Sequence, residues 1–149
     1  MACFFDVKIL DVKPLAVYRG KTHTQEVLLE LSNGKKISLF DPNCVIKKAA
    51  KGTKSKVSAS FLSEKITKND SSEYSVEQKP PQHASIRGKI IYLTAKKEEG
   101  RQKYYLGIID AGVAFFSFTI SALNNLKKGD FVKVNGSGNR VNIMKTKNR

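Results

Sequence analysis

The feature that most constrains this chain is a hairpin pattern that occurs twice. QEVLLELSNGKKISLF (25–40) and KYYLGIIDAGVAFFSF (103–118) align without a gap, so that Gly34 meets Gly112, Leu31 meets Ile109 and Phe40 meets Phe118. Each reads as two short strands joined by a turn, Ser32-Asn33-Gly34 in the first and Asp110-Ala111-Gly112 in the second, where glycine can take positive φ. The likeness continues on both sides. Downstream, KKAAKGTKSKVSASF (47–61) matches NNLKKGDFVKVNGSG (124–138) with one residue of slippage, pairing Gly52 with Gly129. Upstream, VKILDVKPLAVYRGK (7–21) matches SIRGKIIYLTAKKEEGRQK (85–103) in pattern and length. A repeat of about seventy residues within 149 predicts two copies of one structural unit.

The first unit opens with a strand over 4–12 and a basic loop carrying Pro14, Tyr18, Arg19, Gly20 and Lys21. Strands follow at 24–31 and 35–40, where Val27, Leu29, Leu31, Ile37 and Leu39 fall on one face and Glu26, Glu30, Lys36 and Ser38 on the other. Asp41-Pro42 pairs an N-cap residue with a first-turn proline and predicts a short helix to about residue 50, ended by Gly52. A fourth strand spans 54–61 and a fifth is expected at 74–76. The second unit has a strand over 84–93, with Gly88 where a bend or bulge is cheap, and then a charged loop at 94–102. Beyond its hairpin come a short helix starting at Ser121 and ending near Lys127-Lys128-Gly129, and strands at 130–135 and 140–144. The expected division is 1–78, a stiff proline-containing linker at 79–83, and 84–149.

Strand, hairpin, short helix, hairpin is the element order of a five-stranded OB barrel. Both units resemble OB-fold domains, and LKKGDFVKVNGSGNRVNIM (126–144) is similar to the closing segment of many of them. The resemblance implies an all-β fold with short helices, two small five-stranded OB-like barrels in tandem, of the kind found in tandem OB-fold nucleic-acid-binding proteins. It also implies a ligand face on the second and third strands, flanked by the loops joining strands one to two and four to five.

The second hairpin breaks the alternation of the first, because both of its faces are apolar. In the register of the first hairpin, Tyr105, Ile109 and Phe115 point inward, and Tyr104, Leu106, Phe116 and Phe118 are left outside. Bases stacking on that face, the first unit packing against it, or a partner protein docking on it would cover it. The charge favours the first. Twenty-seven Lys and Arg against thirteen Asp and Glu give +14, and the residues from Lys79 onward carry +10 of it. The sequence therefore predicts a single-stranded DNA or RNA binder. Its aromatic platform would be Tyr104, Phe116 and Phe118, with phosphates met by Arg101, Lys103, Lys127, Lys128, Lys133 and Arg140. A weaker track in the first unit would run through Tyr18, Arg19, Lys21, Lys36 and Phe40. The alternative is a protein–protein interaction module, or a subunit of a nucleic-acid-associated complex, with a partner on the apolar face of residues 104–118.

Catalysis is not expected. The carboxylates are scattered and mostly beside lysines, His23 and His83 belong to no recognisable triad or metal motif, and no P-loop or dinucleotide fingerprint occurs. No cofactor or metal is called for, and no apolar run approaches the ~18 residues of a membrane helix. Cys3 and Cys44 have no disulfide or metal spacing and read as reduced, small buried hydrophobes of a cytoplasmic or other reducing compartment. Oligomeric state is left open.

Overall fold

The computed structural model describes residues 3–62, 66–79, 83–96, 103–134 and 141–147. Its strands are β1 (Phe5–Tyr18), β2 (Lys21–Leu31), β3 (Lys36–Asp41), β4 (Lys54–Leu62), β5 (Ile66–Lys68), β6 (Ser75–Lys79), β7 (His83–Lys96), β8 (Tyr104–Asp110), β9 (Phe115–Ile120), β10 (Phe131–Val134) and β11 (Asn142–Lys147). The clean alternation of the first hairpin is realised as read: Val27, Leu29, Leu31, Ile37 and Leu39 are all buried, and the residues between them are not.

The strands do not form two separate barrels. They make one continuous sheet in the order β1-β2-β3-β11-β4-β9-β8-β7-β10-β5, with β6 against β7. Because β1 also pairs with β4, the strands β1, β2, β3, β11 and β4 close into one five-stranded barrel, and the other strands extend the sheet outside it. The strand β4 joins the two parts. Lys54–Val57 pairs antiparallel with β1, whereas Ala59–Leu62 runs parallel to β9. The tandem-barrel expectation fails on partner choice. The strand expected at 74–76 to complete the first unit is β6, which pairs with β7. The place beside β4 is instead taken by β11, antiparallel to β4 and parallel to β3 at Asn142–Phe40. In return β5, from the first unit's sequence, pairs with β10. Alternation identifies a strand and its buried face, but says nothing about which strand lies beside it.

The repeat is nonetheless visible in the hydrogen bonding. The Ile9 N–H donates to the Thr53 carbonyl (2.9 Å), and the Gly52 N–H donates to the Ile9 carbonyl (2.7 Å). Ile90 does the same with Asp130 and Gly129, at 2.9 and 2.8 Å. Gly52 and Gly129 both have positive φ, and the first strand of each unit has an irregularity at the next position, between Ile9 and Asp11 and between Ile90 and Tyr92. Gly88 is needed for close approach, since a Cβ there would strike the Asp110 carbonyl. At the expected linker, Lys79 and His83 are partners at the end of the β6–β7 hairpin, and residues 80–82 lie outside the described residues.

Both expected helices are replaced by turns. At 41–50 only a 3₁₀ turn forms, Lys48–Ala50. Asp41 is buried, and its carboxylate accepts bonds from the Val45 N–H (3.0 Å), the Ile46 N–H (2.9 Å) and Gln25 Nε2 (2.8 Å). It thus organises a loop in which Cys44 takes φ 50, which no right-handed helix accommodates. At 121–129 the left-handed residues Asn124 (φ 49) and Asn125 (φ 67) exclude a helix in the same way. The two cysteines are free and partly buried rather than fully so. Burial, then the Asp41 charge, pushes the Cys44 thiol above its ordinary range.

Candidate functional site

The expected aromatic platform is absent, because the turn of the second hairpin is one residue shorter than that of the first and lies further along the chain. In the first hairpin the Leu31 N–H donates to the Lys35 carbonyl, leaving Ser32-Asn33-Gly34 as a three-residue turn. In the second the Ala111 N–H donates to the Ala114 carbonyl, leaving only Gly112-Val113. The Asp110 carboxylate accepts the Gly112 N–H at 2.8 Å and tightens the turn. A one-residue difference inverts every side chain of the returning strand. Phe116 and Phe118 therefore oppose Ile109 and Gly107 on the inner face, 0% and 1% exposed, while Phe115, Ser117 and Thr119 face outward. The assignments on β8 hold in direction: Ile109 is buried and Tyr105 packs against the core, and Tyr104 stands half-buried on the opposite face.

What covers Phe116 and Phe118 is the rest of the molecule. The Phe116 ring lies 6.0 Å from Phe5 and 6.5 Å from Phe61, and Phe118 stacks on Phe61 at 6.2 Å and 24°. Phe5 and Phe61 belong to β1 and β4, so this cluster welds the closed barrel to the remaining sheet. Burying each ring contributes roughly 1.5–3 kcal/mol.

The cations named from sequence are dispersed. Lys36 is exposed at the start of β3, and Phe40 is half-buried on the same strand. Lys127 and Lys128 are exposed in the turn before β10, where the Lys127 N–H donates to Asp130 Oδ2 (3.0 Å), and Lys133 is half-buried within β10. Lys103 is exposed, with its ammonium 5.5 Å from the centre of the Tyr105 ring. Arg101 and Arg140 lie outside the described residues. No group of three or more His, Cys, Asp or Glu able to hold a metal occurs among the described residues.

Tyr18, Arg19 and Lys21 are brought together, in a place sequence reading treated as a loop. β1 and β2 continue pairing past the barrel, out to Tyr18 opposite Lys21, and Arg19 (φ 52) and Gly20 (φ 74) form the two-residue turn between them. The result is an arm, residues 15–24, none of which is buried. Its root is anchored at Gln25, whose Nε2 donates to Asp41 Oδ2 (2.8 Å) and the Ile46 carbonyl (2.6 Å). Leu15, Val17 and Tyr18 are 44%, 59% and 63% exposed. The Arg19 guanidinium sits 5.3 Å from the centre of the Tyr18 ring, and His23 lies 6.2 Å from it on the other strand. The available signal was VKPLAVY running into Arg19-Gly20, a strand leading straight into a two-residue turn.

No protein family matches the chain, and neither does any curated protein. Among solved structures, the chain is similar to the cytoplasmic molybdate-binding protein ModG, crystallised with molybdate bound. Identity is 14%, 93% of this chain and 94% of that chain are covered, and the TM-score is 0.48. A likeness this distant carries no inference about the ligand of the present chain. The chain's own structure corrects the resemblance to tandem OB-fold nucleic-acid binders, and with it the reading as a single-stranded DNA or RNA binder: one continuous sheet closes a single barrel, and the expected stacking side chains Phe116 and Phe118 are core, so neither bases nor a partner protein can reach them.

Proposed function

We propose that the chain is a protein–protein interaction module whose docking element is the 15–24 arm. The observation that carries this reading is a concentration of exposed apolar surface: three of the five exposed large hydrophobic residues described, Leu15, Val17 and Tyr18, lie within four consecutive positions of the arm. A two-stranded ribbon is marginal in water by itself, and among the contacts of the described residues this one meets the Asp41 loop only near its root, where Cys44 Sγ lies 3.6 Å from the Thr22 carbonyl. Clustered exposed apolar residues mark interaction surfaces, and tyrosine and arginine side by side are the residue types that dominate such contacts. Arg19, Lys21 and, at the root, Lys13 surround them, and the segment 12–25 contains no carboxylate. The complementary partner carries an apolar cleft rimmed by Asp and Glu, with the cations steering the encounter.

The test is a photocrosslinking residue at position 17 in the intact chain, used in cells that make the protein, followed by affinity measurement with the purified partner. The partner should bind the parent chain with a salt-dependent on-rate. Val17→Ser with Tyr18→Ser should bind at least about tenfold more weakly, as befits loss of central apolar contacts, with the melting temperature unchanged. A partner that binds this variant as tightly as the parent overturns the proposal, as does a chain whose position 17 yields no protein crosslink.

A further inference from the structure

A second site is defined where the sheet leaves the closed barrel. The residues Asn142, Ser60, Ser117, Ile108 and Tyr92 are successive cross-strand partners on β11, β4, β9, β8 and β7, so their side chains share one face of the sheet. It is the face opposite the Phe116–Phe118 core. In the next row Leu106 is paired with Thr119, and Lys96 stands four residues along β7 from Tyr92, on the same face. These residues line a pocket of about 180 Å³ at the junction of β4 and β9. Phe61, Gly107 and Phe118 also border it, while the Phe61 and Phe118 rings stack on the inner face.

The lining has two chemical characters. Tyr92, Leu106 and Ile108 supply apolar walls, whereas Ser60, Ser117, Thr119 and Asn142 supply hydroxyl and amide groups and Lys96 an ammonium. No ion pair of Lys96 with a described residue occurs, and it is exposed at the rim. Asn142 Oδ1 is buried without a hydrogen-bond partner among the described residues. A buried acceptor left unpaired is costly, and the cost is removed when a bound group donates to it. Small-molecule sites have this make-up: mostly apolar walls and a few polar groups that set orientation.

From these features, independently of the arm, we infer that the pocket binds a small organic acid: a carboxylate held by Lys96, a flat or branched apolar body against Tyr92, Leu106 and Ile108, and a hydroxyl or N–H at the far end donating to Asn142 Oδ1. A bare inorganic oxyanion would leave the apolar walls unused. A neutral apolar molecule would leave the ammonium and the amide unused.

The probe is 4-hydroxybenzoate, titrated into the full chain and followed through the backbone amide resonances of Gly107, Ile108, Ser117 and Thr119. Neutral 4-hydroxybenzamide and sulfate serve as comparators. The expected result is saturable movement of those four amides with 4-hydroxybenzoate, with the benzamide about tenfold weaker for want of the charge-assisted bond. Lys96→Met should weaken the acid about tenfold and leave the benzamide unchanged. Ser117→Leu, which fills the pocket from its outward face, should abolish the shifts without altering the melt. No movement of these amides with 4-hydroxybenzoate overturns the inference. It is also overturned if Lys96→Met binds the acid like the parent chain, or if sulfate moves the same amides at equal affinity.

Discussion

Phe118 lies across Gly107, its cross-strand partner, and the two positions are matched in size: a Cβ at 107 would fall within the phenylalanine ring. Gly107→Ala should therefore displace the ring and cost roughly 1–3 kcal/mol, read as a lower urea midpoint. Phe116→Ala and Phe118→Ala should each cost about 3–5 kcal/mol, the range for emptying a buried aromatic site, whereas Phe115→Ala, on the outward face, should cost far less. Equal costs at 115 and 116 would contradict the register. Asp41 is another residue on which a whole loop depends. Asp41→Ala removes the acceptor for two backbone N–H groups and for Gln25, and a loss on the order of 3 kcal/mol is expected in chemical denaturation. Glu73 shows the sign of a favourable surface charge. The Ser71 hydroxyl, then Arg87 at 2.9 Å, holds its carboxyl below the ordinary range. Its small contribution is present above the ordinary carboxylate pKa and is lost as pH falls through the lowered value, which a carboxyl-carbon NMR titration would read directly.

At the level of elements, what the sequence disclosed and what it hid have separable causes. The first hairpin could be read to the residue because its alternation has one apolar face, and a strand with one apolar face has one register. The second has apolar residues on both faces, so the turn alone decides, and a gapless alignment with the first assigned it a turn one residue too long. The burial of Ile109 was legible and that of Phe116 was not, although they are cross-strand partners. Asp41-Pro42 has the composition of a helix start, yet the carboxylate of Asp41 is committed to the backbone of a buried loop, so no helix follows it. The arm is hidden in the sequence because proline at 14 and glycine at 20 suggest a loop, yet the first sits at an irregularity in the pairing and the second in the turn. One contact between elements has no sequence signal at all. The Gln78 carboxamide, on β6, donates to the Ser38 carbonyl and accepts the Ser38 N–H, both at 2.6 Å, imitating a strand on the edge of β3. Gln78→Ala should expose that edge to solvent and speed amide exchange at Ser38 above its neighbours.

Across the whole molecule, the two halves of the sequence hold one another's structure. Ile143, fully buried in β11, belongs to the core of the barrel that the N-terminal strands close, and β5 is held by β10. Denaturation followed by tyrosine fluorescence and by far-ultraviolet circular dichroism should consequently show one coincident transition, not two. A chain stopped at residue 141 should give no cooperative melt. Two separable transitions would mean that the halves are independent. The exchange of strands also sets an order of events during synthesis. On the ribosome the first sixty residues emerge with β3 and β4 already made, but the strand that fits between them is translated some eighty residues later. Until then the nascent sheet carries two open edges, so closure of the barrel waits for β11 to be translated, and the time spent unfinished is set by the pace of elongation rather than by the rate of folding.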